Sequence, residues 1–168
     1  AYDSYLAGQA ASDFLQTRAW GRVKAITGWR SNPVLLQDAD GRVVLSALLL
    51  SRKLPGLPLY LYYAPRGPVI DWTLPRGQLD EILRAFAGAV RRYSARSRGV
   101  LLKCDPALPA SNTAAAEALQ SAGFRVASAG LRFEGLQPRF IYEIDITPDE
   151  EALLASFSPK HRYNIRLA

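Results

Sequence analysis

Residues 59–71, LYLYYAPRGPVID, join a short aromatic and aliphatic run to a stretch rich in proline and glycine. The run LYLYY is typical of a β-strand, because aromatic and branched side chains suit a pleated, half-buried surface. The continuation APRGPVID favours a stiff, shaped loop over a helix or a strand interior. Proline fixes φ and removes an amide donor, and glycine opens positive φ. A strand is therefore predicted to run into a rigid loop that holds the cation Arg66.

Two further apolar runs precede this strand. PVLLQ (33–37) and VVLSALLLSRKL (43–54) are separated by DADG, and an Asp-Gly turn between two such runs predicts a β-hairpin. Upstream, residues 12–26 place Phe14, Leu15, Ala19, Val23 and Ile26 at helical spacing after the candidate caps Ser12 and Asp13. Because these five apolar residues stand at mostly helical spacing, the pattern predicts one helix.

The residues after the loop alternate between helical and strand patterns. Apolar side chains recur every three or four residues from Leu79 to Tyr93, as in an amphipathic helix. The remaining predicted elements are a strand over VLLKCDP (100–106), a helix over TAAAEALQSAGF (113–124) ended by Gly123, a strand over RFIYEIDI (139–146), and helices over 148–157 and 158–168. This order predicts a mixed α/β fold built on one sheet, with a boundary near residues 147–159.

Composition limits the kinds of site that this chain can hold. The sequence has 168 residues, is 49% hydrophobic and carries a net charge of +6, which favours anionic partners. Cys104 and His161 are the only residues of their types, so a disulfide framework or a structural zinc centre is not expected. No apolar run approaches the roughly 18 residues that span a bilayer, and the N-terminus lacks a signal-peptide pattern. A cytoplasmic location is predicted. The absence of methionine, even at position 1, suggests either a piece of a longer protein or a removed initiator.

Asp105 is the first candidate for chemistry, because it ends a predicted strand and precedes Pro106. Ligands of open α/β sheets usually bind at that edge, where a carboxylate can accept a proton from an attacking amine. A cap of the turn that Pro106 begins is the structural alternative.

Three further positions carry charge or aromatic surface. Lys24 follows Trp20 by one helical turn, so the pair forms either an anion site or a solvated surface. Arg66 presents a planar cation from a stiff loop, with a salt bridge to Asp71 as the alternative. The basic residues Lys160, Arg162 and Arg166 are interpreted as the solvated face of a helix.

QSAGFR (120–125) is the nearest approach to the loop through which acetyltransferases hold the coenzyme A pyrophosphate. Such a loop needs small residues where backbone amides approach the phosphates. Arg125 stands where the second small residue would be, so the stretch departs from the pattern.

Several segments in this order resemble the Fem family, the FemAB or methicillin-resistance-factor aminoacyltransferases. They are FLQTRAWGRVKAITGW, RKLP, YYAPRGPVIDW, LLKCDP, LQSAGF, LQPRF with IDI, and SPKHRYNIRLA. The resemblance covers residues 12 to 168. It implies a GNAT-like (acyl-CoA N-acyltransferase-like) domain over 1–147, with helices on a central mixed, largely antiparallel sheet, and the start of a second such domain over 148–168.

The resemblance also implies an activity. Family members transfer an amino acid from aminoacyl-tRNA to the stem-peptide amine of a peptidoglycan precursor, either UDP-MurNAc-pentapeptide or its lipid-linked form, without a resident cofactor or metal. By this resemblance Asp105 matches the proposed base and Lys24 the lysine that contacts the precursor phosphates. Arg66 and Gly67 match the loop beside the cleft, and we add Trp20 as a neighbour of Lys24. The implied place of action is the cytoplasm, at the inner face of the membrane.

The resemblance further implies that this piece is inactive alone, because family members are about twice as long. We also expect it to lack an edge element of the first domain and to self-associate there, since an open sheet edge invites pairing.

Three rival interpretations remain. An acetyl-CoA-dependent N-acetyltransferase on the same fold would need a working pyrophosphate loop. A nucleic-acid-binding module would use the basic helix end, Arg91, Arg92, Arg96 and Arg98, although such modules usually interleave exposed aromatic residues. A tRNA-dependent transferase acting on a protein or another glycan is the third.

Overall fold

The computed structural model describes residues 1–109, 111–125 and 144–167 and has a mixed α/β architecture. The helices are α1 (Tyr2–Ala7), α2 (Arg18–Ile26), α3 (Arg76–Ser97), α4 (Thr113–Ser121), α5 (Glu150–Ser156) and α6 (Pro159–Leu167). The strands are β1 (Arg30–Gln37), β2 (Val43–Lys53), β3 (Tyr60–Arg66) and β4 (Gly99–Pro106). Contacts divide the chain into two units, one with the described residues up to 125 and the other with those from 144 onward.

The sheet lies in the first unit and has the strand order β1-β2-β3-β4. The pairs β1–β2 and β2–β3 are antiparallel, whereas β3–β4 is parallel. The sheet is therefore mixed and largely antiparallel, as the resemblance to the Fem family implies. Pro33, which has no amide donor, lies on β1 at one end of this strand order, where a missing ladder bond costs least.

The hairpin and the long helix confirm the sequence predictions. Asp38 accepts hydrogen bonds from the amides of Asp40 and Arg42, and Gly41 has a φ of 79°, so DADG forms the turn between β1 and β2. Helix α3 buries Leu79 and Phe86 on the predicted apolar stripe and extends beyond both predicted ends. It ends at Arg98, which adopts a left-handed φ of 57°.

The N-terminal region departs from the prediction of one helix over residues 12–26. Asp13 caps a one-turn 3₁₀ helix, Phe14–Gln16, and the Thr17 hydroxyl then caps the separate helix α2 by accepting from the Trp20 amide. Helix α1 was not predicted; its Tyr2 is buried, and the Tyr2 hydroxyl donates to the Gln16 carbonyl at 2.9 Å.

Two apolar layers cover the two faces of the sheet. Alternate β2 residues face opposite ways, so Leu45 and Leu49 join the layer formed with α3 and α4, while Leu48 and Leu50 join the layer formed with α1 and α2. The layer beneath α1 and α2 also contains Trp20 and Trp29.

The branched apolar side chains of α2 lie outside the core. Val23 is 51% exposed and Ile26 is 85% exposed, and Phe14 in the preceding turn is 67% exposed. The helix contacts the sheet through Gly21, where an added Cβ would lie 2.8 Å from the Ser31 Cβ. The close approach of helix and sheet selects the smallest residue for the contact and leaves the branched residues outside.

The remaining predicted elements divide into three groups. Helices α4, α5 and α6 lie where the sequence predicts them, and Lys160 and Arg166 are exposed on α6, as expected. The predicted strand over residues 139–146 lies largely outside the described residues. The domain boundary near residues 147–159 stays a prediction. In the described ranges no helix is long and apolar enough to cross a membrane.

Candidate functional site

Asp105 lies near the carboxyl end of β4, and both of its carboxylate oxygens accept hydrogen bonds from β3. The Tyr63 hydroxyl donates to Oδ2 at 2.7 Å, and the Arg66 backbone N–H donates to Oδ1 at 2.8 Å. Pro65 pairs directly with Asp105 in the parallel ladder, which places both donors within reach. We call Tyr63, Arg66 and Asp105 the carboxylate clasp. Its contacts cross the sheet, whereas the alternative inferred from the sequence was a local cap of the Pro106 turn.

The electrostatics of the clasp make Asp105 a stronger base than an exposed aspartate. Desolvation by burial raises the pKa of the Asp105 carboxyl above its ordinary value. The hydrogen bonds from Tyr63 and the Arg66 amide oppose this rise, and the positive charges of Arg66 and Lys103 lower the pKa further. Burial outweighs these opposing effects, so the carboxylate holds a proton more readily while its orientation stays fixed.

Arg66 ends β3 with a backbone conformation that is unusual for a residue with a side chain. Its φ is 54°, in the left-handed region, and the Gly67 amide turns back to the Ala64 carbonyl at 3.2 Å. Such a conformation costs on the order of 1 kcal/mol, which the surrounding contacts must offset. The prediction that residues 64–71 form a loop throughout is wrong for 64–66, because parallel pairing with β4 extends β3 to Arg66.

The loop opens where β3 leaves β2 and remains paired with β4. The antiparallel β2–β3 ladder ends at Leu50 and Tyr63, and Val69 later returns to β2 by bonding Ser46 in both directions, at 2.8 and 2.9 Å. The peptide bond between Gly67 and Pro68 is cis. Between these two attachments the backbone groups that face the gap need other partners.

The Gln16 side chain fills this gap. Its amide donates to the Pro65 carbonyl and accepts from the Leu48 amide at 2.8 Å, and the residue is completely buried. One side-chain amide thus replaces the missing ladder bonds between β2 and β3. Sequence analysis did not identify Gln16, because a single glutamine between an apolar pair and a threonine carries no signal of burial.

Gly67 has a direct packing reason to be glycine. A Cβ at this position would lie 2.7 Å from three atoms of the Gln16 amide group, closer than side chains approach. The glycine therefore admits the Gln16 side chain that holds the loop. Its predicted contact with substrate stays a prediction.

Lys24 lies half-buried between two indole rings. Its Nζ is 5.6 Å from the Trp20 ring centroid and 5.8 Å from that of Trp29. The Arg52 guanidinium lies 5.7 Å from the Trp29 ring centroid. Cations over aromatic faces are attracted by the ring quadrupole. The predicted Trp20–Lys24 neighbourhood is confirmed, and Trp29 and Arg52 are additions that helical spacing alone could not supply.

The candidate residues form two groups on one face of the sheet. Tyr63 is opposite Leu50, which packs in the layer beneath α1 and α2, so the clasp and Lys24 share that face. Helix α2 lies over β1 and β2, whereas Asp105 belongs to β4. Asp105, Arg66 and Gly67 therefore come together at a strand end, and Trp20 with Lys24 forms a second group over the neighbouring strands. Tyr63 is the functional candidate missing from the sequence prediction, because only the β3–β4 register reveals it.

Asp71 has local partners. Its carboxylate accepts from the hydroxyl and the amide of Thr73, and these hydrogen bonds lower its pKa. Its predicted salt bridge with Arg66 stays a prediction.

The stretch QSAGFR ends a helix, whereas a pyrophosphate loop must begin one. Gln120 lies in the last turn of α4, and Gly123 follows it with a φ of 90°. The amides of Gly123 and Phe124 donate to carbonyls of α4, at 2.9 and 3.0 Å. Amides committed in this way cannot receive phosphate oxygens, and the negative end of the helix dipole disfavours an anion here.

The basic end of α3 is also partly committed to packing. The Tyr93 hydroxyl donates to the Asn32 side chain at 2.9 Å, and its ring meets Tyr62 edge to face. The Arg91 guanidinium lies over Gly123, where an added Cβ would meet it at 2.7 Å. Tyr93 is 42% exposed, but these contacts hold its hydroxyl and ring edge, which limits the surface that it offers for stacking with single-stranded nucleic acid.

The fold agrees with a match to a known family. The chain belongs to the FemAB family, whose model matches residues 1–168. It is 29% identical over 170 residues to the lipid II:glycine glycyltransferase of Staphylococcus aureus, covering 99% of this chain and 39% of that protein, and the sequences from strains USA300 and N315 match equally. A crystal structure of FemX superposes with a TM-score of 0.80 at 29% identity, over 99% of this chain and 40% of that one. The chain thus spans about two fifths of the length of these relatives, and the resemblance to the Fem family is confirmed.

Proposed function

We propose that this chain forms the acceptor-binding part of an aminoacyltransferase that moves an amino acid from aminoacyl-tRNA to the stem-peptide amine of a peptidoglycan precursor. Membership of the FemAB family and the similarity to lipid II:glycine glycyltransferase support this reaction class. They favour glycine as the transferred group and a lipid-linked acceptor over soluble UDP-MurNAc-pentapeptide. The observation that carries the proposal is the carboxylate clasp, a desolvated and oriented base at a strand end.

The proposed domain organisation follows from the same family. Residues 1–147 would form a GNAT-like domain and 148–168 the start of a second one. The mixed sheet with helices on both faces supports the first assignment, and helices α5 and α6 support the second. The proposed partners include a peripheral membrane contact and a second copy at a sheet edge, and the proposed place of action is the cytoplasmic face of the membrane.

Asp105 would act as the base for the attacking amine. The amine nitrogen adds to the ester carbonyl of the aminoacyl-tRNA, an amide C–N bond forms, and the ester C–O bond breaks. The proton released by the amine passes to the Asp105 carboxylate, and the leaving ribose oxygen takes up a proton. General-base assistance of this kind contributes about 10²- to 10⁴-fold. The Tyr63 and Arg66 donors would hold the carboxylate in one orientation throughout.

Positioning of the precursor would contribute more than the base. Holding two reactants in register is worth up to about 7–11 kcal/mol when the geometry is near that of attack. Lys24, fixed between Trp20 and Trp29, would bind the precursor phosphates. Arg66 would face the same polyanion from the rigid end of β3. The indole rings hold the Lys24 ammonium and strand pairing holds the Arg66 backbone, so less conformational entropy remains to be lost on binding.

An NMR titration of the ¹⁵N-labelled chain tests this assignment. UDP-MurNAc-pentapeptide serves as the soluble probe, and acetyl-CoA and uncharged tRNA are titrated in parallel. We expect shifts at Lys24, Arg66 and Asp105 with the sugar nucleotide. Lys24→Gln should weaken the binding of the sugar nucleotide. Arg92→Gln, which also removes one positive charge but on the exposed face of α3, should not. Shifts with acetyl-CoA alone would favour the acetyltransferase, and no response to the sugar nucleotide would overturn the placement of its site in this chain.

A further inference from the structure

Helix α2 is built with its smallest residue inside and its branched apolar residues outside. Gly21 meets the sheet, and Val23 and Ile26, on the opposite side of the helix, are 51% and 85% exposed. Phe14, 67% exposed, packs its ring edge to face on Trp20 at 5.5 Å, and Trp20 precedes Val23 by one helical turn. A continuous apolar stripe that the fold leaves uncovered usually marks an interaction surface.

The charged residues of α2 itself are all positive. Residues 14–37 contain no aspartate or glutamate and four cations, Arg18, Arg22, Lys24 and Arg30. By helical spacing Arg22 and then Arg18 follow Ile26 around the helix, on the side away from Lys24. The Arg18 guanidinium lies 5.6 Å from the Tyr2 ring centroid, toward α1. Two acidic residues lie near this surface: the Asp3 carboxylate accepts from the Arg18 amide at 3.3 Å, and Asp13 caps the turn that contains Phe14. We call Phe14, Arg18, Ala19, Arg22, Val23 and Ile26 the α2 outer face.

We propose that the α2 outer face binds the surface of an anionic lipid bilayer. Interfacial helices combine an apolar side, which enters the headgroup and acyl boundary, with arginine or lysine beside it and tryptophan nearby. Here the apolar stripe, the flanking guanidinium groups and the half-buried Trp20 provide these three features on one short helix. The protein's net charge of +6 adds long-range attraction to the same surface.

Charge argues against a second copy of this chain on the same face. A symmetric dimer would bring the arginines of both copies onto one apolar strip, where like charges oppose each other. A bilayer with anionic headgroups satisfies the apolar side chains and the cations together. The inference deepens the proposed function, because a lipid-linked acceptor is delivered at such a surface, but it does not depend on transfer.

Flotation with vesicles that carry no precursor tests the proposal. The 168-residue chain is mixed with vesicles of phosphatidylglycerol and phosphatidylcholine, or of phosphatidylcholine alone, at low and high salt. We expect binding to the anionic vesicles that weakens with salt. The double variant Arg18→Gln/Arg22→Gln should bind about 30-fold more weakly, since each basic residue near the surface contributes ~1 kcal/mol. Val23→Ser/Ile26→Ser should lose about tenfold or more through its apolar contact alone.

Matched variants keep the result specific. Arg92→Gln/Arg96→Gln makes the same charge change on α3, which covers the other face of the sheet, and Val100→Ser changes a residue that is 54% exposed on β4. These controls should bind as the unchanged chain does. Equal binding to neutral vesicles, or equal loss in the controls and the α2 variants, would overturn the proposal. Self-association in sedimentation that Ile26→Ser abolishes would assign the face to a second copy. Because no precursor is present, failure of the membrane proposal leaves the proposed transfer function untouched.

Discussion

Gly67→Ala should destabilise the chain strongly, because the added methyl displaces the buried Gln16 side chain. The Cβ would lie 2.7 Å from the Gln16 Cδ, Nε2 and Oε1 atoms at once, so a small tilt cannot relieve the overlap. Displacement leaves the Leu48 amide and the Pro65 carbonyl without their partner. Each buried backbone group left unpaired costs about 1–3 kcal/mol, which gives a loss of about 2–6 kcal/mol for the two groups. The lower chain entropy of alanine in the unfolded state offsets less than ~1 kcal/mol of this.

A double-mutant cycle in urea separates this mechanism from general overpacking. Gln16→Ala removes the same two hydrogen bonds and should cost a similar amount, but it also makes room for the methyl. In that background Gly67→Ala should therefore cost less than about 1 kcal/mol, so the two changes couple by about 1 kcal/mol or more. Gly77→Ala is the control, since its Cβ meets nothing within 4 Å at the start of α3. An additive cycle, or a Gly67→Ala chain as stable as the parent, would refute the reasoning.

Three further predictions concern β3, β4 and the end of α3. Arg98→Gly should raise the free energy of unfolding by about 1 kcal/mol, because glycine adopts its φ of 57° without strain; a lower urea midpoint would contradict this. Burial raises the pKa of Asp105 in the folded chain, so the free energy of unfolding should fall as pH rises from the ordinary aspartate pKa through the folded pKa. Asp105→Asn should remove this pH dependence in urea titrations, and an unchanged profile would contradict the prediction. Tyr63→Phe deletes a hydrogen bond that lowers this pKa, so the carboxyl ¹³C titration of Asp105 should move to higher pH, and a shift to lower pH would show that the bond has been misassigned.

Regular periodicity and turn residues predicted the elements that are specified by residues close together in the sequence. Two apolar runs around DADG specify the β1–β2 hairpin, because the Asp38 side chain and the positive φ of Gly41 act within four residues. The spacing of Leu79 and Phe86 places both side chains on one face of a helix, so the pattern alone predicts α3. Such signals survive without knowledge of the rest of the fold.

Helix α2 shows what periodicity leaves open. The spacing of Ala19, Val23 and Ile26 correctly indicates a helical stripe, but it does not say whether the stripe faces the sheet or the outside. The closeness of the helix to Ser31 decides this in favour of Gly21, and that closeness is a tertiary property. An apolar stripe is thus evidence for a partner, and the partner need not be the core.

The clasp and the Gln16 contact depend on registers that no local pattern encodes. Asp105 was predicted from its place at a strand end, but its donor Tyr63 follows only from the parallel pairing of β3 with β4. Gln16 is 49 residues from the Pro65 carbonyl that it binds. Gln16 matters because its side chain fills the gap where β2 and β3 separate, beside the turn at Arg66.

The hydrogen bond to Gln16 makes the Leu48 amide a probe of the N-terminal 3₁₀ turn. This amide lies within the longest strand of the sheet, yet its hydrogen-bond acceptor belongs to a side chain of the N-terminal 3₁₀ turn. Amide hydrogen exchange at Leu48 should therefore follow the opening of that turn, and not the separation of β-strands that governs its neighbours. Exchange at this single amide would then report how often the Gln16 side chain leaves the loop beside the clasp.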